Sequence, residues 1–358
     1  MSVGELAAQD TKISFRNDYS EGAHPRLLHA LVQIGNEQNA GYGLDRHSER
    51  AAALIRKQIA SSDADVHFLA GGTQTNLVAM AAFLRPHEAV IAADSGHVAT
   101  HEAGAIEATG HKVLTVQAAD GKLSPERVAR VLGEHSTEHM VRPRLVYLSN
   151  TTEMGTTYSK AELTALRVLC DQHRLYLYLD GARIGAALVA DGSDLGLADV
   201  AALTDAFYIG GTKNGALLGE ALVIVREALK PDVRFIIKQR GAMLAKGMVI
   251  GAQFEALFRD GLFFDLAIHA DAQAQRLRGA LIEAGIAFAF DSPSNQLFPI
   301  LPTQVMEQLE EKYEFHRWQP HCDGHHVIRL VTSWATNELA VQAFCDDLRR
   351  LLAVPSKD

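Results

Sequence analysis

The chain has no long apolar run. Across its 358 residues every apolar stretch is broken by Gly, Asp or Arg well before the roughly 20 residues that a membrane helix needs. Met1–Thr11 also lacks the basic start and apolar stretch of a secretory signal, so a soluble, cytoplasmic protein is the expectation. Cysteine is scarce: Cys170, Cys322 and Cys345 are an odd set without C-x-x-C spacing, which argues against a disulfide framework and suits reduced thiols. There is no dense basic run either, and 34 Lys plus Arg against 43 Asp plus Glu give a formal charge of -9. A surface that works by neutralising nucleic-acid phosphates is a poor fit to that balance, which leaves small-molecule chemistry. Low-complexity tracts and internal repeats are absent as well.

What is present is an ordinary globular composition, 47% hydrophobic and 22% charged, with enough apolar side chains for a sizeable core and two domains. Short apolar runs at 66–70, 89–92, 112–116, 145–148, 175–179, 207–209 and 221–225 read as strands separated by helical patterns. One such helix, Arg46 to Ala60, sets Ala51, Leu54, Ile55 and Ile59 on a single face. Another opens at Ser159-Lys160-Ala161-Glu162, a capping box in which both side chains satisfy free backbone donors. Alternation of this kind predicts an α/β fold with a mostly parallel sheet. From about 240 the pattern becomes one long helical stretch toward Glu283, followed by sparser strands at 287–290, 296–301 and 327–331 and an amphipathic helix from Glu338 to Leu352. The expected division is a large domain with an N-terminal arm over 1–245 and a small α+β domain over 246–358.

Chemistry concentrates after the strands. Lys213 lies in Gly210-Gly211-Thr212-Lys213-Asn214-Gly215, among glycines that allow close approach of a ligand to the backbone. A solvated loop lysine is the plain alternative; a P-loop is a poor fit because Asn, not Ser or Thr, follows the lysine and the leading glycine spacing is wrong. Asp180 ends the run Tyr176-Leu177-Tyr178-Leu179-Asp180, the position where ligands of open α/β sheets gather, though an Asp there can also cap the next helix. A lysine able to form a Schiff base and an acid able to grip a protonated ring nitrogen are the two groups that pyridoxal phosphate chemistry demands of a protein. A dianion site for the cofactor's phosphate is supplied by Gly71-Gly72-Thr73, between a strand and a helix start. His97, after the strand ending at Ala92, could stack on the cofactor ring or serve as a surface histidine. The spacing of His97, His101 and Glu102, and the cluster His321-Cys322-Asp323-Gly324-His325-His326, invite a metal reading, but neither matches a zinc signature. Arg329, a cation in the apolar strand Val327 to Val331, suits a substrate carboxylate or an edge position reaching solvent.

Taken in order, Asn17-Asp18-Tyr19-Ser20, Tyr42-Gly43-Leu44-Asp45, Gly72-Thr73, His97, Thr152-Glu153-x-Gly155-Thr156, Asp180-Gly181-Ala182-Arg183 and Gly211-Thr212-Lys213-Asn214-Gly215 resemble the L-threonine aldolase family. The likeness covers roughly residues 15 to 350. It implies the aspartate aminotransferase-like fold of type I pyridoxal phosphate enzymes, and Lys213 as the lysine that carries the cofactor. It further implies that Asp180 pairs with the ring nitrogen, that His97 stacks on the ring and moves protons, and that Gly72 and Thr73 hold the phosphate. Arg183 and Arg329 match arginines that contact the substrate carboxylate, His139 a histidine near the substrate hydroxyl, and Asn17 lies in a substrate-side motif. Arg240 or Lys246 matches a basic stretch that reaches a phosphate across a subunit interface, so the resemblance also implies a homo-oligomer. Two departures bear on substrate preference: Gly-Gly-Thr-Lys-Asn-Gly stands for Ser-Lys-Gly-Leu-Gly, and Thr332-Ser333-Trp334 for a Thr-His pair.

The implied reaction is cleavage of L-threonine, L-allo-threonine or a related L-β-hydroxy-α-amino acid to glycine and an aldehyde. The alternatives are another fold-type-I activity, such as β-elimination, racemisation or transamination, and a metal-dependent hydrolase using His97, His101 and the Cys322–His326 cluster.

Overall fold

The structure is a computed structural model that describes residues 12–353, so the reading of Met1–Thr11 lies outside the described residues. After a short strand, β1 (Ile13–Ser14), the chain lays down β2 (Asp65–Leu69), β3 (Glu88–Ala93), β4 (Val113–Val116), β5 (Arg142–Ser149), β6 (Tyr176–Asp180), β7 (Ala206–Gly210) and β8 (Glu220–Ile224). The last seven of these form one sheet in the order β2-β8-β7-β6-β5-β3-β4. Strands β3 to β7 pair in parallel, and β8 runs antiparallel to both of its neighbours, β2 and β7. The α/β fold with a mostly parallel sheet is therefore as expected. Its cause is visible in β3, β7 and β8, which are buried at every residue, as strands covered by helices on both faces must be. The capping box forms, with Ser159 Oγ accepting from the Glu162 N–H and Glu162 returning to the Ser159 N–H, and starts the helix Lys160–His173.

Five further strands, β9 (Gln296–Leu297), β10 (Ile300–Pro302), β11 (Tyr313–Glu314), β12 (His316–His321) and β13 (His325–Val331), complete the set. They build a second sheet in the order β10-β13-β12, with β9 also on β13, while β1 pairs in parallel with β11. Its core gathers Phe15, Leu277, Leu281, Leu301, Ile328 and Phe344. The 22-residue helix Leu262–Glu283 joins the two units: Leu262, Phe263 and Leu266 pack in the core of the large sheet, and Ala274, Leu277 and Leu281 in that of the small one.

Three local expectations change. The single long helical stretch expected from about 240 is two helices, Met248–Arg259 and Leu262–Glu283, interrupted at Gly261, whose φ of 74° suits glycine. Ala287–Phe290 is no strand, since only Phe288 bridges to Pro299. In turn β12 was hidden: it is an edge strand of mostly exposed polar residues with Pro320 near its end, and so carries no apolar run. Among the described residues no helix is long and apolar enough to cross a membrane.

Candidate active site

A cavity of about 540 Å³ opens at the C-terminal ends of the parallel strands, where crossover connections in this architecture leave ligand room. It is lined by Gly72, Thr73, His97, Asp180, Arg183, Lys213 and Arg329, so the structure brings these sequence candidates together.

At the end of β2, Gly71 caps the helix Gly72–Phe83. The first N–H groups of any helix have no intrahelical partner, and together with the helix dipole they favour an anion. A side chain on residue 72 could not be accommodated, because its Cβ would stand 2.9 Å from the buried Tyr208 hydroxyl. Asp180 ends β6 and is 3% exposed. Its Oδ2 accepts from Asn76 Nδ2 at 2.9 Å and Tyr147 Oη at 2.6 Å, and its Oδ1 from the Ala182 N–H at 3.0 Å. Three donors fix the carboxylate in one orientation at the floor of the cavity, where it can meet a cationic ring nitrogen.

Asn76 continues the network by donating to Glu102 Oε1 at 2.7 Å, and the same oxygen lies 2.7 Å from His97 Nδ1. Burial alone would lower the His97 pKa, but the hydrogen bond that its Nδ1–H donates to Glu102 and the charges of Asp180 and Glu102 outweigh it and raise the value. With Nδ1 engaged, Nε2 is the ring nitrogen left for proton exchange. Glu153 fixes the backbone by accepting from the His97 N–H at 2.8 Å. His101 stacks on His97, ring centroids 5.5 Å apart, in place of joining it on a metal. Among the described residues no group of three His, Cys, Asp or Glu is arranged to hold a metal ion, and His321–His326 form the exposed end of the β12–β13 hairpin.

Lys213 follows β7 in a half-buried loop, its ammonium 6.0 Å from the Tyr19 ring centroid. Burial, and then the nearby Arg183, lower its pKa, which favours the free amine. Arg183 is gripped by Asp18, with Nε donating to Oδ2 at 2.6 Å and Nη2 to Oδ1 at 2.9 Å. Removing one member of such a buried pair costs about 3–5 kcal/mol, since the other charge is left stranded. Arg329, on β13, lies 5.3 Å from the Trp318 ring, and its buried Nε has no hydrogen-bond partner. That orphaned donor beside a cavity is the mark of a missing anion.

The remaining candidates are elsewhere. Asn17 shapes a turn by accepting from the Tyr19 N–H and Ser20 hydroxyl, and its neighbours Asp18 and Tyr19, not Asn17 itself, meet the site. His139 is exposed in the turn before β5, whereas the cavity lies at the Ser149 end of that strand. A strand of that length separates the two by on the order of 25 Å, so within this chain His139 is removed from the chemistry. Arg240 and Lys246 are exposed and line no part of the cavity; residues between them, Met243 and Leu244, border a second one of about 430 Å³. Asp18, Asn76, Glu102 and Glu153 all fall inside the sequence motifs, but their roles depend on partners distant in the chain.

A buried acid and a strand-end lysine on one cavity, an anion cradle at a helix start and two arginines on a fold of this topology define an enzyme of the fold-type-I pyridoxal phosphate class. The comparisons agree. The beta-eliminating lyase family profile matches residues 23–322. A low specificity L-threonine aldolase from a Pseudomonas species is 30% identical over 348 residues, 96% of this chain and 99% of that protein. A solved threonine aldolase from Leishmania major is 51% identical with a TM-score of 0.94, covering 95% of this chain and 100% of that one. Thermus thermophilus aspartate aminotransferase, 19% identical over 95% of this chain and 91% of its own, shares the fold with a TM-score of 0.71. The chain belongs to the beta-eliminating lyase family, in its threonine aldolase branch.

Proposed function

We propose that the protein binds pyridoxal 5'-phosphate and cleaves L-threonine, L-allo-threonine or a related L-β-hydroxy-α-amino acid to glycine and an aldehyde. The observation that carries this reading is the placement of Lys213, Asp180 and the unpartnered Arg329 Nε around one cavity. The donor set fits the cofactor: Gly72 and Thr73 at the helix start for the phosphate, Asp180 for the ring nitrogen, Lys213 as the attaching amine and His97 against the ring. When bound, the cofactor supplies an electron-withdrawing ring that stabilises negative charge at Cα as the Cα–Cβ bond breaks.

The protein's own residues do the rest. Arg329 receives the substrate carboxylate, assisted by Arg183, whose Nη1 edge remains while Asp18 holds Nε and Nη2. Fixing the carboxylate also fixes which bond at Cα is turned toward the ring, so the arginines select the reaction as well as the substrate. His97 Nε2 accepts the β-hydroxyl proton, with Glu102 at Nδ1 stabilising the imidazolium that forms. Trp318 and Tyr19 contribute to the cavity wall. The reading includes a homo-oligomer in which the exposed Arg240 or Lys246 completes the phosphate site of a neighbouring copy. It includes a cytoplasmic location, consistent with the free Cys170, Cys322 and Cys345.

The test is release of acetaldehyde and glycine from L-threonine by the cofactor-saturated chain and by Lys213→Ala. Turnover is expected to fall on the order of 10⁴-fold or more in the variant, as for loss of a covalent group. Ammonia and a keto acid in place of aldehyde and glycine would assign the site to β-elimination.

A further inference from the structure

Glu220 is a buried carboxyl that the mechanism above does not use. It opens β8, faces Leu69 of β2 on one side and Gly210 of β7 on the other, and is 4% exposed. The strands it joins lead into Gly71-Gly72-Thr73 and into the Lys213 loop respectively, and Glu220 lines the same cavity as both. Its Oε2 accepts from the Gly211 N–H at 3.1 Å and its Oε1 from the Thr212 hydroxyl at 2.8 Å. Thr212 Oγ1 in turn accepts from the Gly219 N–H at 3.1 Å, and Gly219 C=O accepts from the Gly211 N–H at 3.0 Å. The loop that presents Lys213 is thus fastened to Glu220 at the two residues just before the lysine.

Among the described residues Glu220 makes no ion pair, and the positive charge that acts on it is that of Lys213. The other groups acting on it are the Asp180 carboxylate and the buried hydroxyls of Tyr178 and Tyr208, none of which carries positive charge. Acting on Lys213 from other elements are Arg183, Asp18 and Asp180.

We propose that Glu220 is a positioning residue that aims Lys213 and sets whether it stands as an amine or an ammonium. Ionised, Glu220 holds the proton on Lys213; protonated, it lets the amine go. Burial pushes the Glu220 carboxyl up to about 8. The coupling is reciprocal: each group must shift the titration of the other equally. The inference rests on the reading that Lys213 carries the cofactor.

The experiment follows attachment, not turnover. Wild type and Glu220→Gln are mixed with pyridoxal 5'-phosphate from about pH 6 to about 10, a span covering the carboxyl and the lysine. Samples are reduced with borohydride at timed intervals, and the modified Lys213 peptide is measured by mass spectrometry. The midpoint of attachment in Glu220→Gln is expected about one pH unit below wild type, the usual reach of a neighbouring charge. Glu220→Asp, which keeps the charge, is expected to stay with wild type. Superimposed profiles for wild type and Glu220→Gln, or an Asp variant displaced as far as the Gln variant, overturn the proposal. Should Glu220→Gln fail to fold, carbon NMR of glutamate-labelled wild type must contain a carboxyl titrating well above the usual glutamate range that vanishes in Glu220→Asp; its absence overturns the proposal equally. No Lys213 adduct at any pH overturns the cofactor reading with it, which separates the two failures.

Discussion

Asp180 and Arg329 face the same cavity from different sheets, and their surroundings differ in kind. The Asp180 carboxylate takes three donors, and Asn76 passes the network on to Glu102 and His97. Arg329 has its Nε buried without a partner and an aromatic ring for a neighbour. The first arrangement is complete before anything binds and holds its groups in one geometry. The second is incomplete by one anion and gains its hydrogen bonds only when that anion arrives. The large sheet supplies chemistry held ready, and the small sheet supplies affinity held in reserve.

The sharpest test of that contrast is Arg329→Ala, which should lower kcat/KM for L-threonine on the order of 100-fold, mostly through KM, because charge-assisted bonds to the substrate are lost. Steady-state kinetics would break the comparison if kcat/KM moved less than about threefold while the Asp180 side was intact. A smaller effect is expected on the ready-made side from Glu102→Gln. His97 has its pKa raised in part by Glu102, and as a base it works only when neutral, so activity in wild type is lost as pH falls through that raised value. Without the Glu102 charge the acidic limb of kcat/KM should move down by about one pH unit. An unmoved limb would detach His97 from the proton transfer. His139→Ala, in an exposed turn, should leave kcat/KM within about twofold of wild type; a larger loss would place a third region at the site.

The same division governs what was legible in the sequence. The inner strands of the large sheet, such as β3 and β7, are buried on both faces, so they stand out as apolar runs, and glycine-rich ends such as that of β7 mark where ligands approach. The second sheet hid β12, because an exposed edge strand such as His316–His321 carries polar residues, and with it Trp318 against Arg329. Pairings such as Asp18 with Arg183, 165 residues apart, or Asn76 with Asp180, 104 apart, arise from tertiary folding and leave no local spacing to read. His139, matched along the chain to a histidine near the substrate hydroxyl, lies in the turn before β5, away from the Ser149 end of that strand where this chain's cavity opens.

The segment from Ile13 to Asp18 has a mechanical consequence. Ile13 and Ser14 pair with Tyr313 and Glu314, Phe15 is seated among Tyr313 and Phe344 and accepts from the Val331 N–H at 2.8 Å, and Asp18 clamps Arg183 on the far side. Six residues can span at most about 20 Å, so this stretch is a short inextensible strap. It ties the edge of the small sheet to the Arg183 guanidinium through one ion pair. The chain thereby couples the attitude of one unit to the aim of a cation in the other, as a tie rod couples two wheels.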